Sequence, residues 1–222
     1  KLYIFGGYNY SENYRNEVFE CDLTTFTWVL KSTINARSPK TYLTGDVING
    51  KLYSVGGNDG SAVSLFLEEL DLTTFTWTTK TPGGSVPALR WNASFIAYSG
   101  KGYLFGGHNG PTYYNDLWEY NPTTDAWTQM SSAPAVRVDS ALAVDLMTGT
   151  LFAFGGGDMS AAAATNSTWT YKFATNTWTT KADGLAARAA MDKGVFYNGK
   201  MYIFGGYTGS PDVYHDNVFV YY

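Results

Sequence analysis

An all-β chain of repeated four-stranded antiparallel blades, a β-propeller, is what three features of this 222-residue sequence predict. A pair of glycines recurs five times, at Gly6-Gly7, Gly56-Gly57, Gly106-Gly107, Gly155-Gly156 and Gly205-Gly206, at intervals of 49 or 50 residues. Tryptophans keep the same beat at Trp28, Trp77, Trp127 and Trp178. Each glycine pair also closes a short run rich in aromatic residues, such as Leu2-Tyr3-Ile4-Phe5 or Met201-Tyr202-Ile203-Phe204. A fixed period of this length marks one supersecondary unit copied along the chain. Four antiparallel strands per unit, arranged radially, make a propeller.

The elements follow in order within each unit. The run before the glycines reads as a buried strand, b. A variable polar loop leads to a second strand, c, over residues 17–21, 65–70, 116–120, 167–171 and 217–221. A tight turn comes next, as in Asp22-Leu23-Thr24-Thr25, Asp71-Leu72-Thr73-Thr74 and Asn121-Pro122-Thr123-Thr124. A leading Asp or Asn can bond its own backbone two residues on. The strand carrying the tryptophan, d, follows, and strand a, for example 92–98 or 140–144, precedes the next b. Glycine at the end of b permits positive φ and close approach of backbones. Trp and Tyr rings supply the apolar area that joins one blade to the next.

The segments "YIFGG … NEVFECDLTTFTW" and "YLFGG … NDLWEYNPTTDAW" resemble kelch repeats, whose mark is a hydrophobic run ending in Gly-Gly, then a Tyr, then a Trp at set distances. Tyr120, Tyr171 and Tyr221 hold the Tyr position, and Cys21 and Leu70 replace it in the first two repeats. The resemblance covers the whole chain. The register predicts strands b, c and d of a first blade over about 1–34, full blades over about 35–84, 85–133 and 134–184, and strands a, b and c of a fifth over about 185–222. The next Trp would fall near position 227, beyond Tyr222. Since propellers of this kind usually have six or seven blades, the resemblance implies a segment of such a ring; a five-bladed ring with missing strands is the alternative.

Composition narrows the function. Net charge is −4 and the 15 Lys and Arg are scattered, which disfavours nucleic acid as a partner. No apolar stretch approaches the roughly 18–20 residues of a membrane helix, so membrane insertion is not expected. Cys21 is the sole cysteine, which leaves no internal disulfide and reads as a small buried residue. Low charge, abundant Ser, Thr, Tyr and Gly, and the Asn-x-Ser/Thr sequons at Asn9, Asn92 and Asn166 point to an extracellular or cell-surface glycoprotein, with the cytoplasm as alternative. Asn9 is the leading glycan candidate, then Asn166; Asn92, at the start of a strand, is expected to be partly buried.

Antiparallel alternation puts the b–c and d–a connections on one face. The a–b turns (Asn49-Gly50, Ser99-Gly100, Asn198-Gly199) are short, whereas the b–c loops are long and unlike one another. Loops that vary on a repeated scaffold point to the binding side. Each d–a connection carries an arginine, at Arg37, Arg90, Arg137 and Arg188. These read either as a ring able to grip a carboxylate or sulfate, or as internal ties between blades. Tyr8, Tyr10, Tyr14, Tyr113, Tyr114, Tyr207 and Tyr214 populate the loops, with His108 among them. Such rings suit protein or sugar surfaces, or fold back on the scaffold.

No catalytic residues are expected. The chain has no Gly-x-Ser-x-Gly elbow, His-Glu-x-x-His helix or phosphate loop, and only His108 and His215 as imidazoles. A copper enzyme like galactose oxidase, another kelch-like propeller, is the remote alternative. Glu68 and Glu69, adjacent on a strand, point to opposite faces and make no carboxylate pair. Asp139 and Asp192 are candidate ion-pair partners of the preceding arginines. The sequence therefore reads as a non-enzymatic propeller without cofactor or metal. It binds a protein partner or assembles through the b–c/d–a face, with extracellular carbohydrate binding as the alternative.

Overall fold

The computed structural model describes residues 1–9, 13–60, 63, 66–158, 163–184, 186–189, 193–208 and 213–221, and among them all regular structure is β. Five antiparallel sheets follow one another as blades. Blade 1 holds strands b (Leu2–Phe5), c (Val18–Asp22) and d (Thr27–Lys31). Blade 2 holds a (Thr44–Ile48), b (Lys51–Val55), c (Leu67–Asp71) and d (Thr76–Lys80). Blade 3 holds a (Ser94–Tyr98), b (Lys101–Phe105), c (Leu117–Asn121) and d (Ala126–Gln129). Blade 4 holds a (Ala141–Asp145), b (Thr150–Phe154), c (Thr168–Lys172) and d (Thr177–Thr180). Blade 5 holds a (Gly194–Tyr197), b (Lys200–Phe204) and c (Val218–Tyr221). The order within a full blade is a-b-c-d, and the a strands of successive blades pack on one another. The propeller architecture read from the repeat is thus the observed one.

Strands c, and strand a of blade 4, begin one or two residues later than the sequence reading placed them. Strand a of blade 3 begins at Ser94, not at position 92, because Asn92 is left-handed with φ 53°. Tyr42 and Asp139, in the matching places, have φ 55° each. The b–c loops are also not featureless. Among the described residues four carry a two-residue antiparallel hairpin: Tyr8–Asn9 with Asn13–Tyr14, His108–Asn109 with Thr112–Tyr113, Gly157–Asp158 with Ala163–Ala164, and Tyr207–Thr208 with Val213–Tyr214.

The core is a stack of layers between blades. Phe95, Leu104, Trp118 and Tyr120 meet Ile48, Val55 and Leu67 between blades 2 and 3. Phe105, Leu117 and Ala133 meet Leu142, Leu151 and Trp169 between blades 3 and 4. Ala141 and Phe154 meet Met201 and Ile203 between blades 4 and 5, and Val18 meets Leu52, Leu70 and Trp77 between blades 1 and 2. The turns form as their Asx residues dictate: Asp22, Asp71 and Asn121 each accept a bond from the backbone N–H two residues on, at 2.8, 2.8 and 2.9 Å.

In blades 3 and 4 the residue five places on supplies the acceptor of the strand-c tyrosine: Tyr120 donates to Asp125 at 2.7 Å and Tyr171 to Asn176 at 2.8 Å, whereas Tyr221 of blade 5 donates to the Ala182 carbonyl. Where Tyr is replaced, the acceptor is replaced too, giving Cys21 with Phe26 and Leu70 with Phe75. A buried hydroxyl needs a partner, and an apolar residue needs none. Cys21 is buried, as its place on strand c predicts.

Gly106 provides a test of the repeat geometry. Its φ is +64°, and a Cβ there would lie 2.3 Å from the Arg137 carbonyl oxygen of the following connection. Gly110 also has positive φ, but open space surrounds it. Gly106→Ala should cost on the order of 3 kcal/mol and Gly110→Ala about 1 kcal/mol, read as shifts in the urea unfolding midpoint.

Candidate functional site

The loop face is assembled from a staple that recurs between blades. In the first four pairs the second glycine donates its N–H to the carbonyl of the residue that enters the next blade: Gly7 to Lys40 at 3.0 Å, Gly57 to Arg90 at 3.2 Å, Gly107 to Arg137 at 2.8 Å and Gly156 to Arg188 at 2.7 Å. The residue after each of these pairs with the residue that follows the next blade's glycines: Thr41 with Asn58, Trp91 with His108, Val138 with Gly157, and Ala189 with Tyr207. A side chain at Gly156 would collide with the Val138 carbonyl, 2.4 Å from an added Cβ.

This bonding corrects the alignment of the arginines. Lys40, not Arg37, holds the place of Arg90, Arg137 and Arg188. Arg37 falls where the connections into blades 4 and 5 have Ala133 and Gly184. The same amide contact identifies all three: Asn16, Asn115 and Asn166 donate from Nδ2 to the carbonyls of Arg37, Ala133 and Gly184 at 3.0, 2.8 and 2.9 Å. The wider interval of 53 residues from Arg37 to Arg90 carried that signal in the sequence.

All these cations are inside the protein. Arg90 is 0 %, Lys40 2 %, Arg188 4 %, Arg37 5 % and Arg137 8 % exposed. Arg90 grips Asp116 with both guanidinium nitrogens at 2.6 and 2.9 Å, donates to the Gly106 and Ala88 carbonyls, and lies over the Tyr114 ring at 4.3 Å. Arg137 donates to Val136 O and Ser167 Oγ and lies 4.2 Å over Trp169. Arg188 donates to Asn217 Oδ1 at 3.1 Å, and burial lowers its pKa from the usual arginine value. These side chains tie strands together and do not form a surface ring. Asp139 does not pair with Arg137; it accepts from Asn92 Nδ2 at 2.7 Å. Asp192 lies outside the described residues.

What the face presents instead is aromatic. Tyr42, 53 % exposed, meets Trp91 edge-on with ring centroids 5.0 Å apart. Trp91 stacks on His108 at 4.8 Å, and His108 stacks on Tyr113 at 5.2 Å. The His108 imidazole is thereby buried between two rings. Backbone bonds from Asn92 N to Tyr42 O and from Asp139 N to Asn92 O tie the residues just before strands a of blades 2, 3 and 4. Tyr42 and Trp91 escape sequence reasoning because they sit in short connections and join His108 only through the inter-blade pairing. Tyr8 is 48 % and Tyr214 80 % exposed, and these two rings contact Tyr14 and Tyr207 across their own hairpins. Tyr114 is part-buried beneath Arg90, and Tyr10 lies outside the described residues.

Of the sequon asparagines, Asn92 and Asn166 already use their side-chain amides, while Asn9 sits in the first hairpin. Glu69 accepts from Tyr53 and Lys51, while Glu68 turns the other way to Lys40, as strand alternation requires. Among the described residues no three His, Cys, Asp or Glu side chains gather to hold a metal ion. Cys21 is on strand c of blade 1, apart from both imidazoles in sequence and blade.

The fold and its repeated glycine staple define a kelch-type β-propeller. The model of the KLHDC2/KLHL20/DRC7 Kelch-repeats domain matches residues 1–133 and 59–184, and the chain belongs to the kelch-repeat family. Kelch domain-containing protein 10 of Rattus norvegicus is 30 % identical over 146 residues, which cover 62 % of this chain and 35 % of that protein. Kelch repeat and BTB domain-containing protein 1 of Camelpox virus is 31 % identical over 111 residues, covering 48 % of this chain and 19 % of that protein. The chain therefore matches about a third or less of these relatives' lengths.

Asp139 generates a pH prediction. Crowding by protein strips its hydration and raises its carboxyl above the usual value, against the opposing pull of Asn92 and His108. A raised folded-state pKa favours folding while the group is protonated, and that advantage is lost as pH rises through the folded value. Asp139→Asn should therefore stabilise the protein at pH 7, and the gain should vanish below about pH 4. Urea midpoints measured across pH 3–8 check this.

Proposed function

We propose that this propeller is a non-enzymatic interaction module that binds a protein partner through its b–c/d–a face. The observation that carries the reading is the contrast on that face between a buried layer of cations and the aromatic rings standing outside it. Tyr8, Tyr42 and Tyr214 keep about half or more of their surface in solvent. Large rings with a polar tip are the residues that dominate protein interfaces. The hairpins bearing Tyr8 and Tyr214 differ in sequence from blade to blade, so the scaffold is common and the contact surface is particular to this chain.

The simultaneous changes Tyr8→Ser, Tyr42→Ser and Tyr214→Ser should weaken capture of the partner by about a hundredfold or more, while loss of the ring contacts to Tyr14, Trp91 and Tyr207 lowers the unfolding midpoint but leaves the protein folded under the binding conditions. Affinity capture followed by quantitative binding of the recovered partner makes the measurement. Undiminished binding would move the interface elsewhere. The same rings would serve an extracellular carbohydrate ligand, the second reading; saturable binding of a defined oligosaccharide from a glycan panel would favour it over a protein partner.

Assembly is a further part of the proposal. Leu2, Ile4, Trp28, Val29 and Leu30 on blade 1 and Val195, Phe204 and Val218 on blade 5 are exposed. Such apolar faces are what a neighbouring blade covers elsewhere in this protein, and further blades, of the same polypeptide or another chain, would bury them.

We also place the protein outside the cell or on its surface. Low charge and the Asn9 sequon in a loop hairpin support this reading. The native polypeptide should lose mass on enzymatic removal of N-glycans, and Asn9→Gln should abolish most of that loss. A mass that does not change removes the main support for this reading.

A further inference from the structure

Blade 2 departs from its neighbours at three places that converge on one point. Strand c is preceded by Phe66, where blades 3, 4 and 5 have Asp116, Ser167 and Asn217. The matching glycine contact fixes this alignment, because Gly56, Gly106, Gly155 and Gly205 donate to the carbonyls of Phe66, Asp116, Ser167 and Asn217. Two residues on, Glu68 stands where blades 3 and 4 have Trp118 and Trp169. In blade 3 the acid at this first place holds Arg90, and the indole beside it donates to the same acid at 2.7 Å. In blade 2 acid and ring have exchanged places. The third departure is Arg37, at a position that is Ala133 and Gly184 in later connections.

The consequences are physical. Glu68 is smaller than an indole, and a cavity of about 520 Å³ opens where the ring would sit, lined in part by Arg37, Lys40, Glu68, Phe66, Trp77 and Thr79. Lys40 takes the Glu68 carboxylate at 3.3 Å. Arg37 comes no closer to Glu68 than 3.9 Å, and none of its three side-chain nitrogens has a hydrogen-bond acceptor. Its guanidinium is held instead between the rings of Phe5 and Trp77, at 5.6 and 5.2 Å. An arginine this deeply buried with no acceptor is expensive in a folded protein unless something else satisfies it. Arg37, Lys40 and Glu68 together leave one unbalanced positive charge, and the cavity mouth is exposed at Asn35, Ala36, Ser38 and Thr79.

We infer that this cavity between blades 1 and 2 is a binding site for an organic monocarboxylate, with Arg37 taking the carboxylate and Phe66 and Trp77 flanking the carbon body. A flat guanidinium fork matches a carboxylate in two parallel bonds. One net positive charge matches one negative charge. The aromatic walls favour a carboxylate joined to an apolar group over a bare inorganic ion. The carboxylate source is either a free small acid or an acidic side chain of a partner. The inference stands without the partner-binding proposal, because a small acid alone tests it.

The test is the unfolding temperature of the protein titrated with sodium benzoate, against sodium chloride at equal ionic strength. A ligand that binds only the folded state raises that temperature in a saturable way. Benzoate should do so in the parent protein, and Arg37→Ala should weaken the response about tenfold or more. Arg37→Ala restores the residue found at the matching place before blade 4, so it should fold, and without benzoate it should be at least as stable as the parent. Glu68→Trp, which refills the cavity as in blades 3 and 4, should also abolish the response. A blocked peptide with one aspartate, acting at lower concentration than benzoate, identifies a protein side chain as the source; the reverse order identifies a free acid. No saturable response, a response that survives both variants, or inorganic phosphate displacing benzoate at lower concentration than acetate does would each overturn the inference.

Discussion

The loop face depends on one backbone contact, made between each pair of successive blades. The amide of the second glycine of a pair donates to the carbonyl of the residue that leads into the next blade. This contact sets how closely one blade's connection crosses the next blade's strands. It places the following residue in register with the neighbouring b–c loop, and it turns the residue after that into a left-handed conformation at Tyr42, Asn92 and Asp139. A connection that would otherwise be free is therefore pinned at its backbone, and its side chains are left to vary.

On that frame, substitutions travel in physically coupled sets. In blades 3 and 4 the strand-c tyrosine comes with an acceptor five residues later, and in blades 1 and 2 its apolar replacement comes with a phenylalanine at the same place. Tyr3, Tyr53 and Tyr103 on strands b of the first three blades each donate to a glutamate across the sheet, Glu20, Glu69 and Glu119. Burial, reinforced by that pairing, pushes these phenols above their ordinary range. The cations follow the same logic. Arg90 is neutralised by Asp116, whereas Arg137 donates to Ser167 and Val136 and Arg188 reaches Asn217 through one guanidinium nitrogen. Blade 2 keeps the backbone frame but carries its acid, its ring and an added arginine in different places. The chemistry of the face is thus set blade by blade, while the architecture is set by the repeat.

The division of labour explains why buried charge here argues for scaffold and exposed rings argue for recognition. A buried ion pair resists substitution because either partner left alone is costly. An exposed tyrosine constrains the fold less than a buried charge does, which is why the proposed partner contact is assigned to hairpins that differ between blades.

Much of this was legible in the residues themselves. The glycine and tryptophan beat determined the blades, their strand order and the face on which the variable loops meet, because period and alternation are local properties of a repeated sequence. The Asx turns after strand c were equally readable, since an Asp or Asn closes its own turn. What only the tertiary structure decided were relations between blades. Spacing placed Arg37 in line with Arg90, whereas hydrogen bonds across the blade boundary put Lys40 there. The stack of Tyr42, Trp91, His108 and Tyr113 joins residues about 70 positions apart, and no local pattern announces it. Whether an arginine faces solvent or the interior depends on what the neighbouring blade offers it. That choice between Asp116 and Phe66 acquires meaning only when two strands distant in sequence share one hydrogen-bonding register.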